Sequence, residues 1–235
     1  MSQKNKFLKD MEPMLEEKFG WARTEMILDY TRNFFEELCA QNASQTSAVK
    51  AHTVKTIYPC IAVYRGIQRA GISQLEALSF CDWACSRQAE PKAASMRAMC
   101  KIPGIPQLMP RIFKFVTVHT FGEKAGFQAT FYPTGSNRCK FDMTRCLYCD
   151  VCRQNGCPEL VPCFCHTDDV TDGNMHPRLL WNRTRIMGDG ADCCDFDLIL
   201  LGKDESPADY QKGAQDTPPE QLPENTDTDK LDSAE

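Results

Sequence analysis

The sequence has no apolar run long enough to cross a bilayer, no apolar leader, no basic stripe and no internal repeat. Each absence removes a class of protein. The opening stretch "MSQKNKFLKDMEPMLEEKFG" is charged throughout, so a secretory signal is not expected there and the chain is expected to be soluble and cytoplasmic, with no membrane partner. A formal net charge of −5 without clustered Lys and Arg, the groups that replace phosphate counterions, argues against a nucleic-acid partner. Without a repeat, and with 42% hydrophobic and 25% charged residues, one sizeable core is expected in place of a stacked array.

What the sequence does have is cysteine, 14 in 235 residues. A reducing cytosol keeps thiols free, so this density points to metal binding or catalysis ahead of disulfides. From Gly202 the composition turns acidic and proline-bearing, "KDESPADYQKGAQDTPPEQLPENTDTDKLDSAE", with too little apolar surface to offset the entropy of ordering. The expected organisation is therefore a single α+β domain over 1–201 and a disordered acidic tail over 202–235.

The first half, 1–122, reads as helices. "WARTEMILDYTRNFFEELCAQ" places Met26, Ile27, Tyr30, Phe34 and Leu38 at three- and four-residue spacings. The period continues through Ile57, Ile61, Tyr64 and Ile67 and stops at Gly71. Ser73 with Glu76 forms a capping-box signature that opens a helix through "SQLEALSFCDWACSRQA", and "EPKAASMRAMCKI" reads as a further helix before Pro103. Cys81 and Cys85 share a face of the former at i, i+4, a spacing that suits two ligands but fits small core residues better. "RIFKFVTVHTFG" is ambiguous between helix and strand.

The second half, 123–201, changes period. "GFQATFYP", "RCKFDMTRC", "RLLWNRTRI" and "DCCDFDLILL" are short, partly alternating and separated by Gly, Asp and Pro clusters, which predicts about four antiparallel strands. Helices followed by strands give an α+β fold with N-terminal helices packed on one face of a C-terminal antiparallel sheet.

Six cysteines crowd into "RCLYCDVCRQNGCPELVPCFC". The run Cys146-x2-Cys149-x2-Cys152-x4-Cys157-Pro158 is one residue longer than the bacterial ferredoxin spacing, so an iron–sulfur cluster is one reading. Zinc, with three or four thiolate or imidazole donors, is the competing one. Cys163, Cys165, His166, Asp168, Cys193 and Cys194 follow the run, and for most of the 14 thiols a buried core position is the expectation. His52 and His119 read as structural.

The order "FDMTRCLY", "GCPELVPCFCHTDD" and "WNRTRIMGDGADCCDFDL" resembles the L-2-amino-thiazoline-4-carboxylic acid hydrolase-like family. That family's pattern runs Arg-Cys-Pro-Tyr, then Gly-x-Pro-Glu-Leu with Cys-x-x-Asp, then Arg-x-x-Thr or Arg-Thr, and closes on a Gly-rich turn with Cys-Asp-Phe. Matched in turn, its cysteines fall on Cys146, Cys165 and Cys194, its acid on Asp168, and its other marked positions on Arg145, Glu159, Arg183, Thr184, Asp195 and Phe196. Leu147 stands where the pattern has proline, and Cys149, Cys152, Cys157 and Cys163 are additions to it.

The resemblance implies a hydrolase that opens a small cyclic C–N/C–S substrate to N-carbamoyl-cysteine. In this reading Cys146, Cys165, Asp168 and Cys194 are catalytic, and the same three cysteines are the candidate metal ligands. Arg145 and Arg183 would grip the substrate carboxylate through two parallel hydrogen bonds. The cofactor stays open, zinc ranking ahead of an iron–sulfur cluster. A redox protein built on such a cluster and a non-catalytic ligand-binding module are the alternatives, and colour after anaerobic purification separates the first of these from a hydrolase.

Overall fold

The structure, a computed structural model, describes residues 5–207. The expected tail over 202–235 lies outside the described residues from position 208 onward. Helices come first and a four-stranded antiparallel sheet follows, as the change of period predicts.

The chain opens with α1 (Lys6–Phe19), where the Asn5 side chain accepts the Leu8 N–H at 3.3 Å and Met11, Met14 and Leu15 turn inward. The charged opening conceals this helix, because its apolar residues form only a narrow stripe. Gly20, at φ +76°, lets the chain reverse directly into α2 (Trp21–Gln41). Beyond α3 (Ser47–His52) a widened turn, Thr53–Ile57, precedes α4 (Tyr58–Arg69). Pro59 accounts for the widening: it cannot donate to the Lys55 carbonyl, and its ring would clash there in a regular turn. Gly66 is where α2 and α4 approach most closely, since a Cβ at that position would collide with Thr31 Oγ1 and lie 2.9 Å from the Ile27 carbonyl.

Two predicted helical segments prove to be one. α5 runs from Gln74 to Cys100 without a break, started by Ser73 Oγ accepting the Glu76 N–H at 3.2 Å. Pro91 sits inside it on an exposed turn, where solvent can satisfy the carbonyl that loses its donor. The ambiguous "RIFKFVTVHTFG" belongs to α6 (Ile105–Thr120).

The sheet has the order β1-β2-β4-β3, from β1 (Gln128–Phe131), β2 (Arg138–Arg145), β3 (Leu179–Asn182) and β4 (Cys194–Leu200). Register aligns Phe131 with Phe141 and Phe141 with Phe196, giving ring pairs at 4.8 and 4.9 Å, and Trp181 extends the row at 5.6 Å from Phe196. Phe113 of α6 lies over this row, 6.0 Å from Phe141 and 5.6 Å from Trp181. Pairs of this kind contribute roughly 0.5–1.5 kcal/mol each beyond their burial, so they fix the register as well as the helix position.

The second half also contains two helices that the strand reading omits. α7 (Leu147–Gln154) and α8 (Val161–Asp172) occupy the cysteine-rich stretch. Cysteines two residues apart suit a metal-binding turn, yet the same i, i+3 spacing is the period of a helix face. Here the helix face is the outcome, with Cys149 and Cys152 both buried on α7. No helix among the described residues is long and apolar enough to cross a membrane.

Candidate functional site

Strand register brings distant cysteines to one end of the sheet. Met143 pairs with Cys194, so β2 leaves the sheet where β4 enters it. Cys146 follows β2 directly as the N-cap of α7, and α8 brings Cys165 to the same place. Cys146, Cys165 and Cys194 all lie within electrostatic reach of one another, as does Cys149 of Cys165 and Cys194.

The two ends of the ferredoxin-like run face different neighbours. Cys146 and Cys149 act on each other and lie near Cys165 and Cys194. Cys157 Sγ donates to the Cys152 carbonyl at 3.5 Å, and Cys152 lies near Cys60. Among the described residues, no group of three or more His, Cys, Asp or Glu side chains could hold a metal ion. The donor chemistry agrees, for the Cys194 sulfur already accepts the Met187 N–H at 3.2 Å and the Arg183 cation stands beside the thiols. Cys146, Cys165 and Cys194 are thus neighbours without forming a ligand set, and no step below is routed through a metal.

Cys146 and Cys149 titrate as a unit. The neighbouring Cys149 thiol, and then burial, pushes the Cys146 thiol well up. Cys146 in turn holds Cys149 below the ordinary thiol range. Burial raises Cys165, with the Asp168 charge adding to it, and carries Cys194 to about 11. Both stay protonated near neutrality. Cys146 and Cys165 are half-buried, whereas Cys149 and Cys194 are closed off.

Arg183 anchors the polar side of the site. Its side chain is 1% exposed, and its terminal nitrogens donate to Asp168 at 3.0 Å, Asp169 at 2.8 Å and the Cys165 carbonyl at 3.0 Å. Burial opposes its charge, but Asp168 and Asp169 outweigh that and raise its pKa further. Its guanidinium lies over the Phe196 ring at 5.4 Å, while its Nε–H is buried with no hydrogen-bond partner. Arg145 behaves differently: it is 55% exposed and donates through Nε to Asp150 at 2.9 Å on the first turn of α7.

The Asp168 carboxyl is pushed up to about 6 by burial although Arg183 pulls the other way. One turn on, Asp172 is carried to about 7 by burial and then by the Asp168 charge. Asp195 fixes the opposing loop, accepting the N–H groups of Thr184 at 2.8 Å and Arg185 at 2.5 Å. Gly188 brings that loop against α8, where a Cβ would lie 3.1 Å from the Cys165 sulfur. Glu159 stands apart from the thiols and ties the turn before α8 to the helices, accepting from Tyr64 at 2.5 Å and Gln74 at 2.9 Å.

Reading the sequence misses Cys149 as a partner of Cys146, and it misses Asp169, Asp172 and Gly188. A helix over "CFCHTDDVTD" would have aligned Cys165, Asp168, Asp169 and Asp172 on one face. His52 and His119 are structural, bonded to the carbonyls of Thr120 at 2.9 Å and Phe115 at 2.7 Å. A cleft of about 350 Å³ lined by Glu17, Lys18, Ser79, Phe80 and Trp83 lies away from all of these groups.

A family model described as L-2-amino-thiazoline-4-carboxylic acid hydrolase matches residues 50–198, which take in α4 to α8, nearly all of the sheet and every thiol of the site, but not α1 and α2. Searches of curated proteins and of solved structures return no match.

Proposed function

The chain belongs to the L-2-amino-thiazoline-4-carboxylic acid hydrolase family, and from that premise we propose that it hydrolyses a small cyclic C–N/C–S substrate, opening a 2-amino-thiazoline-4-carboxylate ring to N-carbamoyl-cysteine. The observation that carries the reading is the gathering of Cys146, Cys165 and Cys194 beside the Arg183–Asp168 pair, with Cys146 at a helix N-terminus and within reach of solvent.

Cys146, at the N-cap of α7 beside Cys149, supplies the nucleophile. Its thiolate forms a bond to C2, and the bond from C2 to the ring sulfur breaks. The leaving sulfur takes a proton from Cys165, which burial keeps protonated. Asp168 then accepts a proton from a water that adds to C2 and expels the Cys146 thiolate, and that proton returns to Cys165. One water is consumed, and C2 becomes the carbamoyl carbon. Arg145, exposed beside Cys146, meets the substrate carboxylate. Arg183 orients Asp168, while Cys194 forms the floor.

Incubating the protein with L-2-amino-thiazoline-4-carboxylate and following thiol release together with N-carbamoyl-cysteine by mass spectrometry tests this directly. The wild type should form product and Cys146→Ser should not. Absence of product from the wild type, or equal rates for the two, would overturn the reading. Elemental analysis of the same sample separates a thiol site from a metal-loaded one.

A further inference from the structure

The Cys146–Cys149 pair adds something that the hydrolytic scheme does not use. We propose that these two residues form a redox-active dithiol that exchanges with low-molecular-weight disulfides, closing an internal Cys146–Cys149 disulfide and releasing two thiols.

Three observations on the geometry carry this. First, Cys146 is the N-cap of α7 in extended backbone (φ −127°, ψ 120°) and Cys149 lies on the first helical turn, a one-turn spacing compatible with the Cα separation that a disulfide requires. Their side chains lie close enough to act on each other electrostatically. Second, the pair is asymmetric: Cys146 is half-buried and reachable, while Cys149 is 1% exposed behind it. An attacking thiol at the surface with a resolving thiol behind it is the arrangement that exchange through a mixed disulfide needs. Third, Cys146 occupies the N-cap of α7, where the positive end of the helix favours a thiolate.

No other thiol pair in the described residues combines these features. Cys60 and Cys85 have sulfurs 3.8 Å apart, but both are sealed in the helical core. Cys152 and Cys157 are likewise buried.

The chemistry balances. The Cys146 thiolate attacks one sulfur of a disulfide RSSR, forming a mixed disulfide and releasing the first RS⁻. The Cys149 thiolate then attacks the Cys146 sulfur, forming the internal disulfide and releasing the second RS⁻. The dithiol loses two electrons to RSSR, and its two protons leave on two RSH molecules. A dithiol reductant reverses the sequence. Because hydrolysis as proposed needs a free Cys146 thiolate, the internal disulfide would also silence it, but the exchange itself does not depend on that reading.

Full-length protein, fully reduced and then treated with glutathione disulfide, alkylated under denaturing conditions and digested with trypsin, gives the test. The peptide 146–153 carries Cys146, Cys149 and Cys152, and fragment sequencing shows which of them took the alkyl group. The expected result is loss of both alkylatable thiols at Cys146 and Cys149, restored by dithiothreitol, with Cys152 still alkylated. In Cys149→Ser, one glutathione should remain on Cys146. Alkylation of both Cys146 and Cys149 in the treated wild type would overturn the proposal, as would a folded Cys149→Ser without glutathione on Cys146. If Cys149→Ser fails to fold, the wild-type map alone decides. No outcome relies on hydrolysis.

Discussion

Two groups of thiols in this protein share a side chain and differ in everything around it. Cys146, Cys149, Cys165 and Cys194 meet at the end of the sheet, where a helix N-terminus, a buried guanidinium and two carboxylates surround them. Cys60, Cys81, Cys85 and Cys163 meet between α4, α5 and α8, each at most 3% exposed. Neighbouring thiols, Cys81 for Cys60 and Cys60 for Cys85, and then burial raise these two well above the ordinary range, and burial raises Cys163, so these sulfurs remain neutral thiols that fill space. The surroundings, not the cysteine count, separate chemistry from packing.

The sharpest way to break this contrast is to remove one thiol from each group. Cys146→Ser should lower hydrolysis on the order of 10³-fold or more with little change in stability, as measured by steady-state rates and thermal melting. Arg183→Gln should cost less in rate and more in stability, since it leaves Asp168 and Asp169 without their cation; breaking such a buried pairing costs about 3–5 kcal/mol when it is fully enclosed, and less here because both carboxylates reach solvent. Denaturant unfolding of the variant would read that loss.

In the helical half the effects should fall on stability alone. Gly66→Ala forces α2 and α4 apart against Thr31 and the Ile27 carbonyl and should destabilise by about 1–3 kcal/mol. Cys85→Ser places a hydroxyl among apolar groups and should cost about 1–3 kcal/mol. Rates per folded molecule should stay unchanged in both.

The smallest expected effect concerns pH. Asp168 and Asp172 have folded pKa values of about 6 and about 7, above the unfolded value near 3.9. Between about pH 4 and 7 the native state therefore binds more protons than the unfolded state, and stability falls as pH rises. Asp172→Asn should flatten that slope in melts recorded across the window. Hydrolysis should rise through about pH 6 as Asp168 becomes able to accept a proton.

Much of the fold was legible because periodicity reports burial. The alternation in "RCKFDMTRC" marks the face carrying Cys139, Phe141 and Met143, and the stripe through Ile57, Ile61, Tyr64 and Ile67 marks α4. Pro91 misled because a proline lacking its hydrogen bond can still sit on an exposed turn of a helix long enough to continue past it. The cysteine stretch misled because ligand spacing and helical spacing coincide at i, i+3. The three gathered cysteines came from a resemblance and not from local pattern: only strand register, which no local pattern contains, places Cys194 beside the residues that follow β2. The Cys149 partnership needed the helix cap that was missed.

The most direct test of the contrast is limiting alkylation of the native protein with iodoacetamide near neutral pH, with modified sites mapped and residual hydrolysis measured on the same samples. Cys146 should be modified first, and activity should fall in proportion to its labelling. Earlier labelling of Cys60, Cys85 or Cys163, or full hydrolysis by protein alkylated at Cys146, would contradict the account.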